Sequence, residues 1–185
     1  MQIARRMVLA VLVIGSLANW GSGAEAADDI VITTLKVENL KRFSAALEAA
    51  GLVGLLKGKG PFTVFAPTDA AFAKLPEGTL ETLMRPEKRK TLAALLMHHV
   101  IYGKLVKSDR IANVRSQKKK MADGEMAQIE ARLRGGVRIG GATVVAADIG
   151  ASNGVIHGID TVIVPRSLSA VLGRNTAASA SPPNR

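Results

Sequence analysis

Paired turn residues recur through the second half of this chain at intervals that suit hairpins better than helices. Asp123-Gly124, Gly135-Gly136, Gly140-Gly141 and Asn153-Gly154 separate short segments, among them Met126 to Leu133, Val137-Arg138-Ile139, Ala142 to Ala146 and Val155 to Val164. Two-residue turns of this composition reach the positive-φ backbone that closes an antiparallel hairpin. Several of the segments alternate apolar with polar residues, which fits strands with one face buried. The carboxyl-terminal half is therefore expected to be mostly antiparallel sheet. Pro165 ends the last strand, and a helical turn is expected from Ser167 to Leu172.

Upstream of Val100 the periodicity is helical. Leu40, Phe43, Leu47 and Ala50 recur at the spacing of one helix face, and Gly51 follows where a left-handed cap would sit. After the breaker Gly58-Lys59-Gly60-Pro61, the run Phe62-Thr63-Val64-Phe65-Ala66 reads as a strand that stops at Pro67. Thr68 and Asp69 offer side-chain oxygens to the free amides of a short helix from Ala70 to Leu75, whose buried face carries Phe72 and Leu75. Pro86 suits the first turn of a further helix, on which Leu92, Leu95, Leu96 and His99 share one face. Helices first and hairpins later describe a single α+β domain.

The amino terminus reads as an export signal. Arg5 and Arg6 precede an apolar run from Met7 toward Leu17, and the small residues around Ala24-Glu25-Ala26 place cleavage after Ala26. That run is short of the roughly 20 residues a membrane span needs, so no stable transmembrane segment is expected after cleavage. With no cysteine in the chain, the exported domain has neither a disulfide framework nor a lipid-modified cysteine, a habit that suits a bacterium. Residues 174–185 form a small, polar tail expected to be disordered.

The chain carries 25 basic and 15 acidic residues, a formal charge of +10, and stays strongly basic once Arg5, Arg6 and Glu25 are removed. Outside the cytoplasm such a surface attracts acidic glycan, anionic headgroups or an acidic protein. Nucleic acid is not the expected partner. The one tryptophan, Trp20, lies in the export signal, and Tyr102 has no aromatic neighbour in sequence with which to build a stacking platform.

Three segments together carry a family resemblance. GPFTVFAPTDAAFAKLP, from Gly60 to Pro76, closely resembles the first signature of fasciclin-type domains, and NGVIHGIDTVIVP, from Asn153 to Pro165, resembles the second. Between them LLMHHVIYGKL, from Leu95 to Leu105, is similar to the region where the family carries a tyrosine-histidine pair, with His99 at the histidine and His98 in place of the tyrosine. The resemblance implies a fasciclin-type domain over residues 27–173, following a signal peptide at 1–26. The implied fold is a wedge-shaped β-sandwich with amino-terminal helices packed against it. The implied role is that of an extracytoplasmic adhesion module without catalytic machinery, as in periostin-like adhesion proteins.

Candidate binding residues follow from the resemblance. His98 and His99 occupy the place of a receptor-contact pair. Asp148-Ile149 stands where animal members carry an Asp-Ile integrin-recognition motif, although an aspartate there also suits a turn. Thr68, Asp69, Phe72, Asn153, Gly154 and His157 belong to the signature segments as structural residues. From the residues alone, His99 on an apolar helix face reads as a packed histidine with a satisfied nitrogen.

Catalytic chemistry finds no foothold. No GxSxG elbow occurs, and Ser152 and Ser167 sit in turn-like contexts. His98, His99 and His157 lack the HExxH or comparable carboxylate spacing of a zinc site, so neither a metal nor another cofactor is expected. The basic groups Arg85 to Lys90 and Arg115 to Lys120 read as solvated faces, or as contacts to an acidic polymer.

The expected function is adhesion, or contact with a cell-surface or matrix protein or an acidic glycan, in the periplasm or outside the cell. A single domain copy favours self-association as a homo-oligomer or a place in a complex, because linked copies raise effective concentration. The alternative is a carrier of an apolar ligand such as a carotenoid, in a slot lined by Met84, Leu95, Met97 and Ile101.

Overall fold

The structure is a computed structural model that describes residues 28–112, 116–132 and 136–169. The expected export signal at 1–26 and the tail at 174–185 lie outside the described residues.

Helix α1 (Ile30–Lys36) begins at Asp29, whose carboxylate accepts a hydrogen bond from the Ile32 amide at 2.9 Å. A 3₁₀ turn (Glu38–Leu40) leads into α2 (Lys41–Ala50), which places Phe43, Ala46, Leu47 and Ala50 in the core. Gly51 ends α2 at φ +73°, with its own amide bonded to Glu48 O and that of Leu52 to Leu47 O. This paired bonding is the left-handed glycine stop that the sequence predicts. Helix α3 (Val53–Leu56) and the turn after it deliver the chain to β1 (Phe62–Pro67).

Three short helices and a 3₁₀ turn then intervene before the next strand. They are α4 (Asp69–Ala73), α5 (Thr79–Leu83), the 3₁₀ turn Pro86–Lys88 and α6 (Arg89–Met97). Strand β2 (Val100–Tyr102) and α7 (Ser108–Ala112) follow, and then β3 (Ser116–Lys120), β4 (Met126–Ala131), β5 (Val137–Ile139), β6 (Ala142–Ala151) and β7 (Gly154–Ile159). The helices are thus not confined to the amino terminus, because α4 to α6 lie between two paired strands. A helical turn at residues 166–169 closes the described chain.

Among the described residues the strands form one seven-stranded sheet in the order β2-β1-β7-β6-β5-β4-β3. In place of two separately bonded sheets, β6 runs through both halves, pairing with β5 at Ala142 and Thr143 and with β7 from Val144 to Ala151. The pairing is antiparallel throughout except between β1 and β7, which run parallel from Phe62 beside Gly154 to Pro67 beside Ile159. The two signature segments are therefore neighbours in the middle of the sheet. All six residues of β1 are buried, as expected of a strand covered on both faces.

Alternation along the central strands divides the interior into two cores. Phe62, Val64 and Ala66 of β1, Val100 of β2 and Ile156 of β7 face the helices and pack with Phe43, Leu47, Leu92 and Leu96. Phe65, Ile101 and Ile159 face the other way and pack with Ile129, Val137, Ile139 and Ala142 of strands β4 to β6. The β5–β6 turn is the expected pair Gly140-Gly141, with φ of +54° and +92°. The β6–β7 turn falls one residue earlier than the sequence suggests: Ala151 pairs with Gly154, so Ser152 and Asn153 make the loop.

Candidate functional site

The segment from Gly103 to Ser108 has little regular structure of its own, and the two signature strands hold it in place. Thr63, fully buried on β1, donates from Oγ1 to Lys104 O at 2.7 Å and accepts from the Val106 amide at 2.9 Å. His157 on β7 uses Nε2–H to bond Val106 O at 2.8 Å, and its Nδ1 accepts from the Asp148 amide at 3.2 Å. Its ring stacks on Phe65 with centroids 5.2 Å apart. Burial is the main reason that the imidazole pKa falls below its usual value, and the two backbone partners match the neutral ring.

Asp148 completes the clamp. Between Ala146, paired with Gly158, and Ile149, paired with Ile156, two residues of β6 oppose one of β7, which defines a bulge. There Asp148 takes φ +58°, a left-handed conformation that aspartate tolerates better than most residues. Its carboxylate accepts from the Ser108 amide at 3.0 Å and from the Ser108 hydroxyl, at the start of α7. Burial opposes ionisation, but the Ser108 hydrogen bonds outweigh it and hold the carboxyl below the usual range. Ile149 is half-buried against the helical core. The Asp-Ile pair is thus tied into a bulge, with both carboxylate oxygens bonded to Ser108.

His98 and His99 sit where α6 runs into β2, with exposures of 4% and 0%. His99 donates from Nδ1–H to Leu95 O at 2.8 Å and accepts on Nε2 from the Ile163 amide at 3.0 Å. Burial lowers its pKa to about 4. His98 Nδ1 lies 2.6 Å from Asp123 Oδ2. Both rings of the expected receptor-contact pair therefore make internal bonds, and the exposed aromatic nearby is Tyr102, tilted against Phe62 at 5.3 Å.

These bonds bear directly on metal binding. With one nitrogen donating and the other accepting, neither His99 nor His157 retains a lone pair for a cation. Among the described residues His98, Asp123 and Glu125 bring ligand-type atoms within 4.8 Å of one another. The 2.6 Å His98–Asp123 contact is a hydrogen bond, shorter than two ligands of one metal sit from each other. The Glu125 oxygens accept the Arg166 and Ser167 amides at 3.0 and 3.2 Å, capping the helical turn at 166–169.

Asn153 binds three elements at once. Its Oδ1 accepts from the Ile30 amide at 3.0 Å, and its Nδ2 donates to Leu56 O at 2.7 Å and Gly58 O at 3.0 Å. Gly154 beside it is required by space, since a Cβ there would lie 2.4 Å from Phe62 O. Thr68 caps α4 by accepting from the Ala71 amide at 3.2 Å, and Phe72 packs into the helical core. Asp69 works across the fold, accepting from the Arg42 amide at 2.8 Å and so capping α2. The four residues of the expected apolar slot divide between the two cores. Leu95 is buried in the helical core and Ile101 in the second core, on the opposite face of the sheet, while Met84 and Met97 pack against the helical side.

One site escaped the sequence reading. A cleft of about 690 Å³ lies between the 103–110 segment and β3, with Lys104, Lys107, Arg110 and Lys119 among its lining residues. The first three follow one another at intervals of three residues without making a charge run, and the fold brings Lys119 beside them.

The family model of the fasciclin domain matches residues 38–165. Protein sll1483 of Synechocystis sp. is 43% identical over 146 residues, covering 77% of this chain and 78% of that protein. Transforming growth factor-beta-induced protein ig-h3 of Sus scrofa is 38% identical over 138 residues, covering 73% of this chain but only 19% of that protein. The cell surface glycolipoprotein MPB83 of Mycobacterium bovis is 32% identical over 151 residues, covering 78% of this chain and 64% of that protein. In fold, the chain is similar to the solved FAS1 domain pair from the insect cell adhesion molecule Fasciclin I, with TM-score 0.54 and 22% identity over 68% of this chain and 45% of that one. With the signature strands paired in the middle of its sheet and a family match across most of its length, this chain belongs to the fasciclin domain family.

Proposed function

We propose that this protein is an exported, non-catalytic binding module that makes adhesive contacts with a cell-surface or matrix component. The observation that carries this reading is the family relationship, since relatives include a cell surface glycolipoprotein and a protein of the fold is an insect cell adhesion molecule. The site chemistry is in keeping with it. His99, His157, Asp148 and Asn153 are engaged with backbone groups, so they hold the fold together rather than face a substrate. Residues 1–26 supply export in this reading, and no helix among the described residues is long and apolar enough to cross a membrane.

Beads coated with the purified protein should adhere to intact bacterial cells or to immobilised matrix protein, saturably and in competition with soluble protein. Adherence no greater than that of albumin-coated beads on every such surface would refute the proposal.

A further inference from the structure

The cleft between the 103–110 segment and β3 concentrates positive charge. Lys104, Lys107, Arg110 and Lys119 line it against a single carboxylate, Asp109. Among the described residues the ion pairs join Lys36 to Asp28, Lys74 to Asp160 and His98 to Asp123, so none of the four cleft cations has a carboxylate within 4 Å. Lys107 acts at longer range on Asp148, whose oxygens are already bonded to Ser108. Lys119 is half-buried and stands opposite buried Ala127, on the core-facing side of its strand. An ammonium drawn partly out of water without a counter-charge is costly, and an anion in the cleft would relieve that cost.

Hydrogen bonds also pin the backbone on one side of the cleft. Thr63, His157 and Asp148 hold the backbone at Lys104, Val106 and Ser108, so three of the cations are presented from a clamped segment. A backbone already held in this way lowers the ordering cost when a ligand arrives. No aromatic ring lines the cleft, which removes the stacking platform that a single-stranded nucleic acid would use. Gln117 and exposed Leu105 add an amide and an apolar ledge, a lining suited to hydroxyl groups and sugar-ring faces.

We propose that this cleft binds an acidic polysaccharide, engaging its carboxylate or sulfate groups through Lys104, Lys107, Arg110 and Lys119. The choice of an extracellular polymer rests on the export reading above, whereas the charge and shape of the cleft do not. An inward-pointing lysine on an edge strand also guards against strand addition, but that role accounts for Lys119 alone.

The test measures binding of the purified protein to immobilised heparin, polygalacturonate and neutral dextran across a salt series, with duplex DNA as a further arm. The variant K104Q/K107Q/R110Q/K119Q is compared with K41Q/K57Q/K88Q/K90Q, which removes the same charge from exposed positions elsewhere. Expected are saturable binding to heparin or polygalacturonate but not dextran, about tenfold or greater weakening in the cleft variant, and a flatter salt dependence. The sulfated and carboxylated arms show which anion is preferred. Equal weakening in both variants, no saturable binding to either acidic polymer, or tighter binding of DNA through the same four residues would each overturn the proposal. Lys119→Glu alone, which places a carboxylate in the cleft, provides the same reading if the quadruple variant loses its folded circular dichroism spectrum. Failed bead adherence with glycan binding intact would sink only the adhesion reading, and glycan binding absent with adherence intact would sink only the cleft.

Discussion

At His99 the surroundings admit one protonation state. A proton on Nε2 would set two donors against each other across the 3.0 Å contact with the Ile163 amide, and the ring has no access to water. Its folded pKa of about 4 lies below the unfolded value of roughly 6.5, so the stability it contributes is whole above pH 6.5 and fades as pH falls toward 4. The loss amounts to about 3 kcal/mol at most. His157, whose pKa is also lowered by burial, acts in the same direction. Urea midpoints should therefore drop between pH 6.5 and 4, and His99→Gln should show a shallower drop from a lower starting point. A midpoint for the native protein that stays level over that range would contradict the assignment. Asn153 gives a second expectation. Asn153→Ala should cost about 2 to 3 kcal/mol, and Asn153→Asp should cost more at neutral pH, because a carboxylate would then face the carbonyls of Leu56 and Gly58. Denaturant unfolding of the two variants decides the order. The importance of these residues was legible in the signature segments, but their partners were not, since Asn153 and Ile30 lie 123 residues apart.

The helices illustrate a different division. Gly51 and Thr68 are local stop and start signals, and both act where the sequence places them. Other helix starts depend on carboxylates brought from elsewhere: Asp69 serves α2, Asp148 serves α7, and Glu125 serves the turn at 166–169. Helix α2 has Leu40 at its start, which offers no side-chain acceptor, so the α4 residue supplies one. Asp69→Ala should lower stability by about 1 kcal/mol, with Asp69→Asn retaining much of it. Asp148 combines a cap with a left-handed backbone. Asp148→Asn should be nearly neutral and Asp148→Ala the most damaging, at about 2 kcal/mol, with Asp148→Gly between them because it relieves the backbone but loses the cap. Thermal midpoints of the three variants check this ranking, and an alanine variant as stable as the asparagine would refute it. Short helices such as α1 and α7 escaped the periodicity reading because fewer than two full turns leave too few apolar repeats to register.

Across the whole molecule, β1 belongs to both cores, with Val64 in one and Phe65, its neighbour in sequence, in the other. Neither core can empty without disrupting the strand that walls the other. Phe43→Ala in the helical core and Phe65→Ala in the second should each cost about 3 to 5 kcal/mol, and both variants should still unfold in one transition by fluorescence and circular dichroism. Two separated transitions would show that the cores are independent units. Amide exchange should be slowest in β1 and β7, the paired central strands, and faster in β3 at the sheet edge.

The sequence by itself determined the elements whose signals are local: the amphipathic α2, the apolar β1 stopped by Pro67, the Gly140-Gly141 turn, and the two segments that mark the family. It determined the α+β class for the same reason, because periodicity is a property of neighbouring residues. Only the tertiary structure decided that β1 and β7 pair in parallel, that His98 turns inward to Asp123, and that Lys119 joins Lys104, Lys107 and Arg110 in one cleft. Those outcomes depend on which distant groups meet to satisfy buried donors and acceptors, and that pairing is set by the packing of the whole chain.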